Sequence, residues 1–164
     1  MTVKYLLAIN RHIMGLIAML KSVMTNAHTD PMLPAPGQDT QQILIVDDDA
    51  MVGAMTGHCI KRAGFGTHVF DNPADALTWF AHHHRHINLV ISDHNMPGLT
   101  GTKMAEQMAS IAPTIPVIIC SGYIAAIEED VADIPNINRV MAKPTPTPDL
   151  VQAVKEALSA VDRT

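Results

Sequence analysis

The feature that most constrains the fold is an apolar run that ends at a carboxylate. The run Leu89-Val90-Ile91-Ser92-Asp93 leads into the turn-forming sequence Met96-Pro97-Gly98. An apolar run of this length predicts a short buried strand, and the Pro and Gly after it predict that the chain leaves the sheet there. Because open α/β sheets bind ligands at the carboxyl ends of their strands, Asp93 is the candidate reactive group.

A second apolar run ends in the same manner. The stretch Gln42-Ile43-Leu44-Ile45-Val46 is followed by the consecutive acids Asp47, Asp48 and Asp49. Adjacent carboxylates repel one another strongly unless a cation lies between them. The two strands are therefore predicted to direct carboxylates toward one place, where a bound cation would offset their repulsion.

Strands and helices alternate along the rest of the chain. The predicted strands are residues 43–46, 66–70, 89–93, 116–120 and 139–142, and the predicted helices are residues 50–63, 73–80, 102–110, 125–132 and 148–161. Repeated βα units with apolar strands imply a parallel sheet covered on both faces, with right-handed crossovers. The predicted fold class is α/β, with a five-stranded doubly wound sheet.

The first forty residues differ from the remainder. Residues 1–27 predict an apolar helix, which is open to three interpretations: a helix for a partner, a helix lying on a membrane interface, or the product of an early start codon. The interruption Asn10-Arg11-His12 leaves no apolar run long enough to span a bilayer. Residues 28–40 are rich in proline and predict a linker, which places the main domain at residues 41–161.

Composition narrows the class of protein. The net charge of −5 offers no basic stripe for a row of phosphates, so direct DNA binding is not expected. Cys59 and Cys120 match neither a zinc site nor a disulfide framework, which favours a reduced, cytoplasmic protein. The histidine-rich stretch 82–86 predicts either a transition-metal site or a polar loop that closes a helix.

Polar signals follow four of the five predicted strands. Asp47 and Asp48 follow the first, Asp93 ends the third, and Ser121 and Lys143 follow the fourth and fifth. In a doubly wound sheet these ends converge on one crevice. Carboxylates with a nearby backbone carbonyl suit Mg²⁺, while a hydroxyl and an ammonium complete a cradle for a phosphoryl group. Asp93 is then placed to attack phosphorus and form an acyl phosphate.

These motifs carry a family resemblance. The segments Ile43-Leu44-Ile45-Val46-Asp47-Asp48-Asp49, Asp93-His94-Asn95-Met96-Pro97 with Gly101, Ser121-Gly122-Tyr123 and Lys143-Pro144 resemble the receiver domain of two-component response regulators. The resemblance covers residues 41–160 and implies a flavodoxin-like sheet of strand order 2-1-3-4-5. It further implies that a histidine kinase or a histidine phosphotransfer protein phosphorylates Asp93.

The resemblance also implies roles for the other site residues. Asp47, Asp48 and Asp93 would hold Mg²⁺ together with the backbone carbonyl of Asn95, Ser121 would sense the phosphoryl group, and Lys143 would pair with it. Such a protein catalyses only its own phosphorylation and dephosphorylation. Tyr123 either controls the access of water to the acyl phosphate or covers the loop.

One position departs from the family pattern. The family usually carries Tyr or Phe three residues before the lysine, where this sequence has Val140, and it more often carries Thr where this sequence has Ser121. The phosphorylation site is therefore expected to work, while output through an aromatic side chain at Val140 is not expected.

Two other classes compete with a receiver. A hydrolase of the phosphoaspartyl type also uses Asp, Mg²⁺ and Lys, but it needs a second acid two positions after the nucleophile, where Asn95 stands. A pure interaction module would bind Mg²⁺ and take up no phosphate. With only residues 162–164 after the last predicted helix, no output domain is expected, and the downstream partner is an unknown protein that reads the surface.

Overall fold

The computed structural model describes residues 40–127 and 131–161. The predicted helix at residues 1–27 and the predicted linker up to residue 39 lie outside them. The strands are β1 (Gln42–Val46), β2 (Gly66–Phe70), β3 (Leu89–Asp93), β4 (Val117–Ser121) and β5 (Ile137–Ala142). The described α-helices are α1 (Ala50–Arg62), α2 (Pro73–His83), α3 (Gly101–Ile111) and α4 (Thr147–Val161), with 3₁₀ turns at His84–His86 and Ile124–Ala126.

The five strands form one parallel sheet in the order β2-β1-β3-β4-β5. The predicted fold class and strand order are therefore confirmed. The chain passes from β1 outward to β2 and then returns to place β3 on the other side of β1. The switch point of the sheet lies between β1 and β3, and the carboxyl ends of these two strands carry Asp47 and Asp93.

Two apolar cores lie on opposite faces of the sheet, because successive strand residues point to opposite sides. Leu44 and Val46 pack on one face with Phe80 of α2 and Met104 of α3. Ile43 and Ile45 pack on the other face with residues of α1 and α4, including Ile60, Val154 and Leu158. The burial of all five residues of each central strand explains why the sequence shows continuous apolar runs instead of an alternating pattern.

The helix limits follow the predicted caps. Asn72 begins α2, and its side chain accepts hydrogen bonds from the backbone N–H groups of Ala74 and Asp75. Gly64 follows α1 with a φ of 100°, a left-handed conformation that a residue with a Cβ rarely adopts. Both helix boundaries were predicted from these residues.

The histidine stretch requires a correction, because α2 is longer than predicted. His82 and His83 belong to the helix and His84–His86 form a 3₁₀ turn, so the stretch is only in part a loop. The ring of His83 stacks on that of Trp79 with a centroid distance of 4.4 Å, and its Nδ1 lies 2.8 Å from the Trp79 backbone oxygen. These contacts add a further turn to the helix beyond Phe80.

The predicted helix at residues 125–132 falls partly on residues 128–130, which lie outside the described part of the chain. Ile124–Ala126 before the gap form a 3₁₀ turn. The fifth strand begins at Ile137, two residues before its predicted start at Arg139. Within residues 40–127 and 131–161, no helix has both the length and the apolar content needed to cross a bilayer.

We propose a domain boundary near Gln41. The backbone oxygen of Gln41 accepts a hydrogen bond from Gly66 N at 3.0 Å, and Gln42 N donates to Asn88 Oδ1 at 2.7 Å, so the contacts of the sheet begin at these residues. Among residues 40–127 and 131–161, the two apolar cores begin at Ile43 and Leu44.

A chain that begins at Gln41 is therefore expected to fold cooperatively and to keep its free energy of unfolding within about 1 kcal/mol of that of the full chain. Urea unfolding of the two chains, followed by circular dichroism, measures this difference. Precipitation of the shorter chain, or loss of most of its stability, would show that residues before Gln41 complete the domain.

Candidate functional site

Four neighbouring strands bring the predicted site residues to one edge of the sheet. Asp47 directly follows β1, Asp93 ends β3, Ser121 ends β4 and Lys143 directly follows β5. Because β1, β3, β4 and β5 are adjacent and parallel, their carboxyl ends lie side by side. Residues far apart in sequence thereby become neighbours.

The acidic side chains form one group at this edge. Asp47, Asp48 and Asp93 each offer a carboxylate oxygen, and these oxygens lie within 4.8 Å of one another. Asp47 and Asp93 are each 7% exposed, whereas Asp48 is open to solvent. Closely spaced carboxylate oxygens with an open side fit a hard cation such as Mg²⁺, which retains several waters.

Lys143 bridges the two buried acids. Its Nζ donates a hydrogen bond to Asp47 Oδ2 at 3.0 Å and lies 3.0 Å from Asp93 Oδ1. The second contact is an ion pair outside hydrogen-bond geometry, which leaves Asp93 Oδ1 buried without a hydrogen-bond donor among the described residues. That oxygen therefore faces the charge of the Lys143 ammonium at the buried end of the strand.

The two partners of the Lys143–Asp47 pair respond differently to burial. Burial raises the pKa of Asp47, and the hydrogen bond and charge of Lys143 only partly oppose this effect. Burial alone would lower the pKa of Lys143, but its contacts with Asp47 and Asp93 outweigh burial and raise that pKa above its usual value. Lys143 therefore stays charged in the folded protein, because two carboxylates share it.

The three consecutive acids have separate structural roles. Asp49 is the N-cap of α1, and its Oδ1 accepts hydrogen bonds from Met51 N at 2.9 Å and Val52 N at 3.1 Å. The backbone N–H of Asp49 in turn donates to Asp47 Oδ1 at 3.1 Å. The helix predicted at residues 50–63 begins directly after Asp49, but the N-cap role of Asp49 was not predicted. An acid directly before a helical pattern is nevertheless a helix-start signal.

The remaining predicted site residues lie around the cluster. Ser121 is buried, its Oγ accepts a hydrogen bond from Tyr123 N at 3.2 Å, and its backbone oxygen accepts one from Lys143 N at 2.8 Å. The Lys143–Pro144 peptide bond is cis. Asn95 and Tyr123 are exposed.

Close backbone contacts hold the loop after β3. Gly101 N donates to His94 O at 3.0 Å, and a methyl group on Gly101 would collide with the backbone oxygen of Asp93. Gly98 in the same loop has a φ of 80°. The start of α3 thus packs directly against the strand end that presents Asp93, which explains the need for Gly at residue 101.

The histidine stretch does not form a comparable group. Among residues 40–127 and 131–161, the acids Asp47, Asp48 and Asp93 are the one set of three or more His, Cys, Asp or Glu side chains whose ligand atoms converge. His83 instead stacks on Trp79, and His84 Nδ1 lies 3.2 Å from the backbone oxygen of Ala81. Within the described residues, the candidate cation site is the acidic cluster.

Three acids and a lysine thus lie together at the carboxyl edge of a doubly wound parallel sheet. A family model described as the response regulator receiver domain matches residues 43–155. The chain belongs to this family and is a receiver domain of response regulators.

Individual relatives agree with the family. The chain is 26% identical over 120 residues to the response regulator receiver protein CpdR of Brucella abortus, covering 73% of this chain and 98% of that protein. It is 37% identical over 82 residues to the regulatory protein AtoC of Escherichia coli, covering 50% of this chain and 17% of AtoC.

Solved structures show the same fold. A receiver domain protein from Methanospirillum hungatei superimposes with a TM-score of 0.69 at 24% identity, covering 76% of this chain and 98% of that one. An uncharacterized protein from Neptuniibacter caesariensis gives a TM-score of 0.66 at 31% identity, covering 74% of this chain and 89% of that one.

Proposed function

We propose that this receiver domain takes up a phosphoryl group on Asp93 from the phosphohistidine of a histidine kinase or a histidine phosphotransfer protein. The observation that carries the proposal is the position of Asp93: it ends a buried strand at the switch point, beside two further acids and 3.0 Å from the ammonium of Lys143. The proposal includes a location in the reducing cytoplasm, which the free cysteines Cys59 and Cys120 support.

The transfer requires a carboxylate nucleophile in line with the leaving group. A carboxylate oxygen of Asp93 forms the new O–P bond while the N–P bond of the phosphohistidine breaks, and the imidazole leaves with that electron pair. The Lys143 ammonium, 3.0 Å from Asp93 Oδ1, favours the ionised carboxylate, which is the nucleophilic form. Burial of Asp93 also limits the access of water to the acyl phosphate.

Asp47, Asp48 and Asp93, with the backbone carbonyl of Asn95, would hold Mg²⁺, which when bound neutralises negative charge on the phosphoryl oxygens. Lys143 already lies against Asp93 and supplies a second positive charge. Because the Lys143 ammonium stays protonated, it pairs with the phosphoryl group once that group replaces the free carboxylate.

Ser121 supplies the hydroxyl of the switch. Its Oγ accepts a hydrogen bond from Tyr123 N, so movement of the Ser121 hydroxyl toward the phosphoryl group would break that bond and release the loop after β4. One hydroxyl contact and one ammonium contact are each worth roughly 1–3 kcal/mol when charge-assisted. A modest shift between two populated loop arrangements follows, which suits a phosphate shuttle or a weak binding switch.

The test measures the number of phosphoryl groups bound per chain and the rate at which inorganic phosphate is released. A receiver holds one phosphoryl group, whereas a phosphoaspartyl hydrolase releases phosphate repeatedly. We expect acetyl phosphate with Mg²⁺ to load one phosphoryl group per chain and to release inorganic phosphate only slowly. Asn95 offers an amide where a hydrolase needs a second acid. Rapid, repeated release of phosphate would favour the hydrolase, and absence of loading despite bound Mg²⁺ would favour an interaction module.

Output is expected to run through the loops at the strand ends instead of through Val140. Val140 is half-buried against the core on the α2 and α3 face, and its branched side chain has little freedom about its first torsion. We therefore expect beryllofluoride to change amide hydrogen exchange mainly around Asp93, in residues 121–127 and near Lys143. A large response centred on β5 at Val140 would show that Val140 is a working switch residue.

A further inference from the structure

A cavity of about 590 Å³ lies between α1, α4 and the sheet face beneath them. Its walls are mostly apolar and include Val52 and Met55 of α1, Ile45 and Ile91 of the sheet, and Leu150 of α4. Cavities that bind small organic molecules have volumes of roughly 300–1,000 Å³ and are lined mainly by apolar side chains. This half-open cavity falls within that volume range and has a mainly apolar lining.

The helix α1 carries glycines on its buried side. Its buried residues are Gly53, Gly57 and Ile60. A Cβ on Gly57 would lie 2.8 Å from Val69 Cγ2, so the glycines allow α1 to lie close to the edge strand β2. Toward the cavity α1 presents Val52, Met55, Thr56 and Cys59. Cys59 Sγ accepts a hydrogen bond from Thr147 Oγ1 of α4 at 3.7 Å.

The cavity has one polar end. Asp47, Asp93 and Lys143 line it where the strands reach their carboxyl ends, whereas Ile45 and Ile91 lie two residues earlier on the same strands. Two carboxylates and one ammonium leave this end with a net negative charge, and the exposed Asp48 carboxylate belongs to the same acidic group. An apolar chamber that ends in excess negative charge is complementary to an apolar molecule with one positive charge.

We propose that this cavity binds a small organic cation, with an apolar body between α1 and α4 and an ammonium group directed at the acidic group beside its polar end. This ligand site goes beyond the uptake of a phosphoryl group and does not depend on it. Because the ammonium would occupy the carboxylates proposed to hold Mg²⁺, the two cations bind antagonistically, each weakening the other by the same factor.

The first test uses three probes with similar aromatic bodies: phenethylammonium, 2-phenylethanol and 3-phenylpropanoate. Each is titrated into the full chain without Mg²⁺ or a phosphoryl donor and followed by amide chemical shifts. We expect shifts in the residues that line the cavity, with phenethylammonium binding at least about tenfold more tightly than 3-phenylpropanoate. Equal affinities for the cation and the anion, or shifts confined to other residues, would overturn the proposal.

Added Mg²⁺ provides the second readout. It should raise the apparent Kd of phenethylammonium but leave that of the neutral 2-phenylethanol nearly unchanged. An unchanged Kd for phenethylammonium at saturating Mg²⁺ would show that the ammonium does not reach the carboxylates. Failure of the phosphoryl-uptake experiment would leave these results unaffected, since no phosphoryl donor is present.

Filling the cavity is the third test. Thr56→Leu and Cys59→Leu add apolar volume to its wall, so each variant should lose phenethylammonium binding while its Tm stays the same or rises. Met51→Leu changes an exposed residue of α1 outside the lining and should bind as the wild type does. Full binding by either filled variant that folds with an unchanged Tm would refute the site.

Discussion

Asp48→Ala is expected to lose most of the affinity of the domain for Mg²⁺, by roughly 100-fold or more. Asp48 is the exposed member of the acidic group, so its carboxylate is free to bind a cation. Asp47, in contrast, is already held by Lys143 Nζ and by Asp49 N. Removing Asp48 also removes repulsion among the acids, so the variant should be at least as stable as the wild type without metal.

Titration of Mg²⁺ against amide chemical shifts or by calorimetry measures this loss. Glu106→Ala is the matched control, because it removes one exposed negative charge on α3 outside the acidic group. The control should bind Mg²⁺ as the wild type does. An unchanged Mg²⁺ titration in Asp48→Ala would refute the proposed metal site.

Lys143→Met is expected to lower the free energy of unfolding by about 1–2 kcal/mol at neutral pH without Mg²⁺. The substitution leaves the buried carboxylates of Asp47 and Asp93 without their shared cation. Because the Lys143 side chain is 32% exposed, solvent screens these ion pairs and keeps the loss of stability small. Added Mg²⁺ should restore part of the loss, since a metal ion between the acids also offsets their repulsion.

The pH dependence of this loss has a definite sign. Burial raises the pKa of Asp47, and in the variant only the hydrogen bond from Asp49 N still opposes this effect, because the contacts with Lys143 are lost. A folded acid with a raised pKa binds its proton more readily than the unfolded chain does, so the variant regains stability as pH falls through that pKa toward the usual aspartate value. The deficit relative to the wild type should therefore shrink toward acidic pH.

Urea unfolding at several pH values measures the deficit. Lys155→Met removes the same charge from an exposed position of α4 and should show little effect. A deficit in Lys143→Met that neither acid nor Mg²⁺ reduces would indicate lost packing of the lysine side chain instead of unpaired carboxylates.

The sequence predicted that the site residues converge, because each of them lies at the carboxyl end of a strand. Asp93 and Lys143 follow apolar runs, and the rule that parallel strands end at one edge places them together without knowledge of any side-chain contact. The sequence did not predict that Lys143 would lie 3.0 Å from both Asp47 and Asp93. That contact depends on the reach and rotamer of one flexible side chain, which periodicity does not encode.

Other differences arose where tertiary packing overrides local pattern. The extension of α2 to His83 depends on stacking with Trp79, whose ring also lies 4.7 Å from that of His68 on β2. The cavity beside α1 could not be predicted either. It is lined by residues of α1, the sheet and α4 that are far apart in sequence and share no local pattern.

The measurement that most directly tests the central claim is the intact mass of the wild type and of Asp93→Asn after incubation with acetyl phosphate and Mg²⁺. The amide of Asn keeps the size of the side chain and removes the nucleophilic carboxylate, so the variant should fold with an unchanged circular dichroism spectrum. We expect the wild type to gain the mass of one phosphoryl group and Asp93→Asn to gain none. An undiminished mass shift in Asp93→Asn would contradict the assignment of Asp93 as the phosphoacceptor.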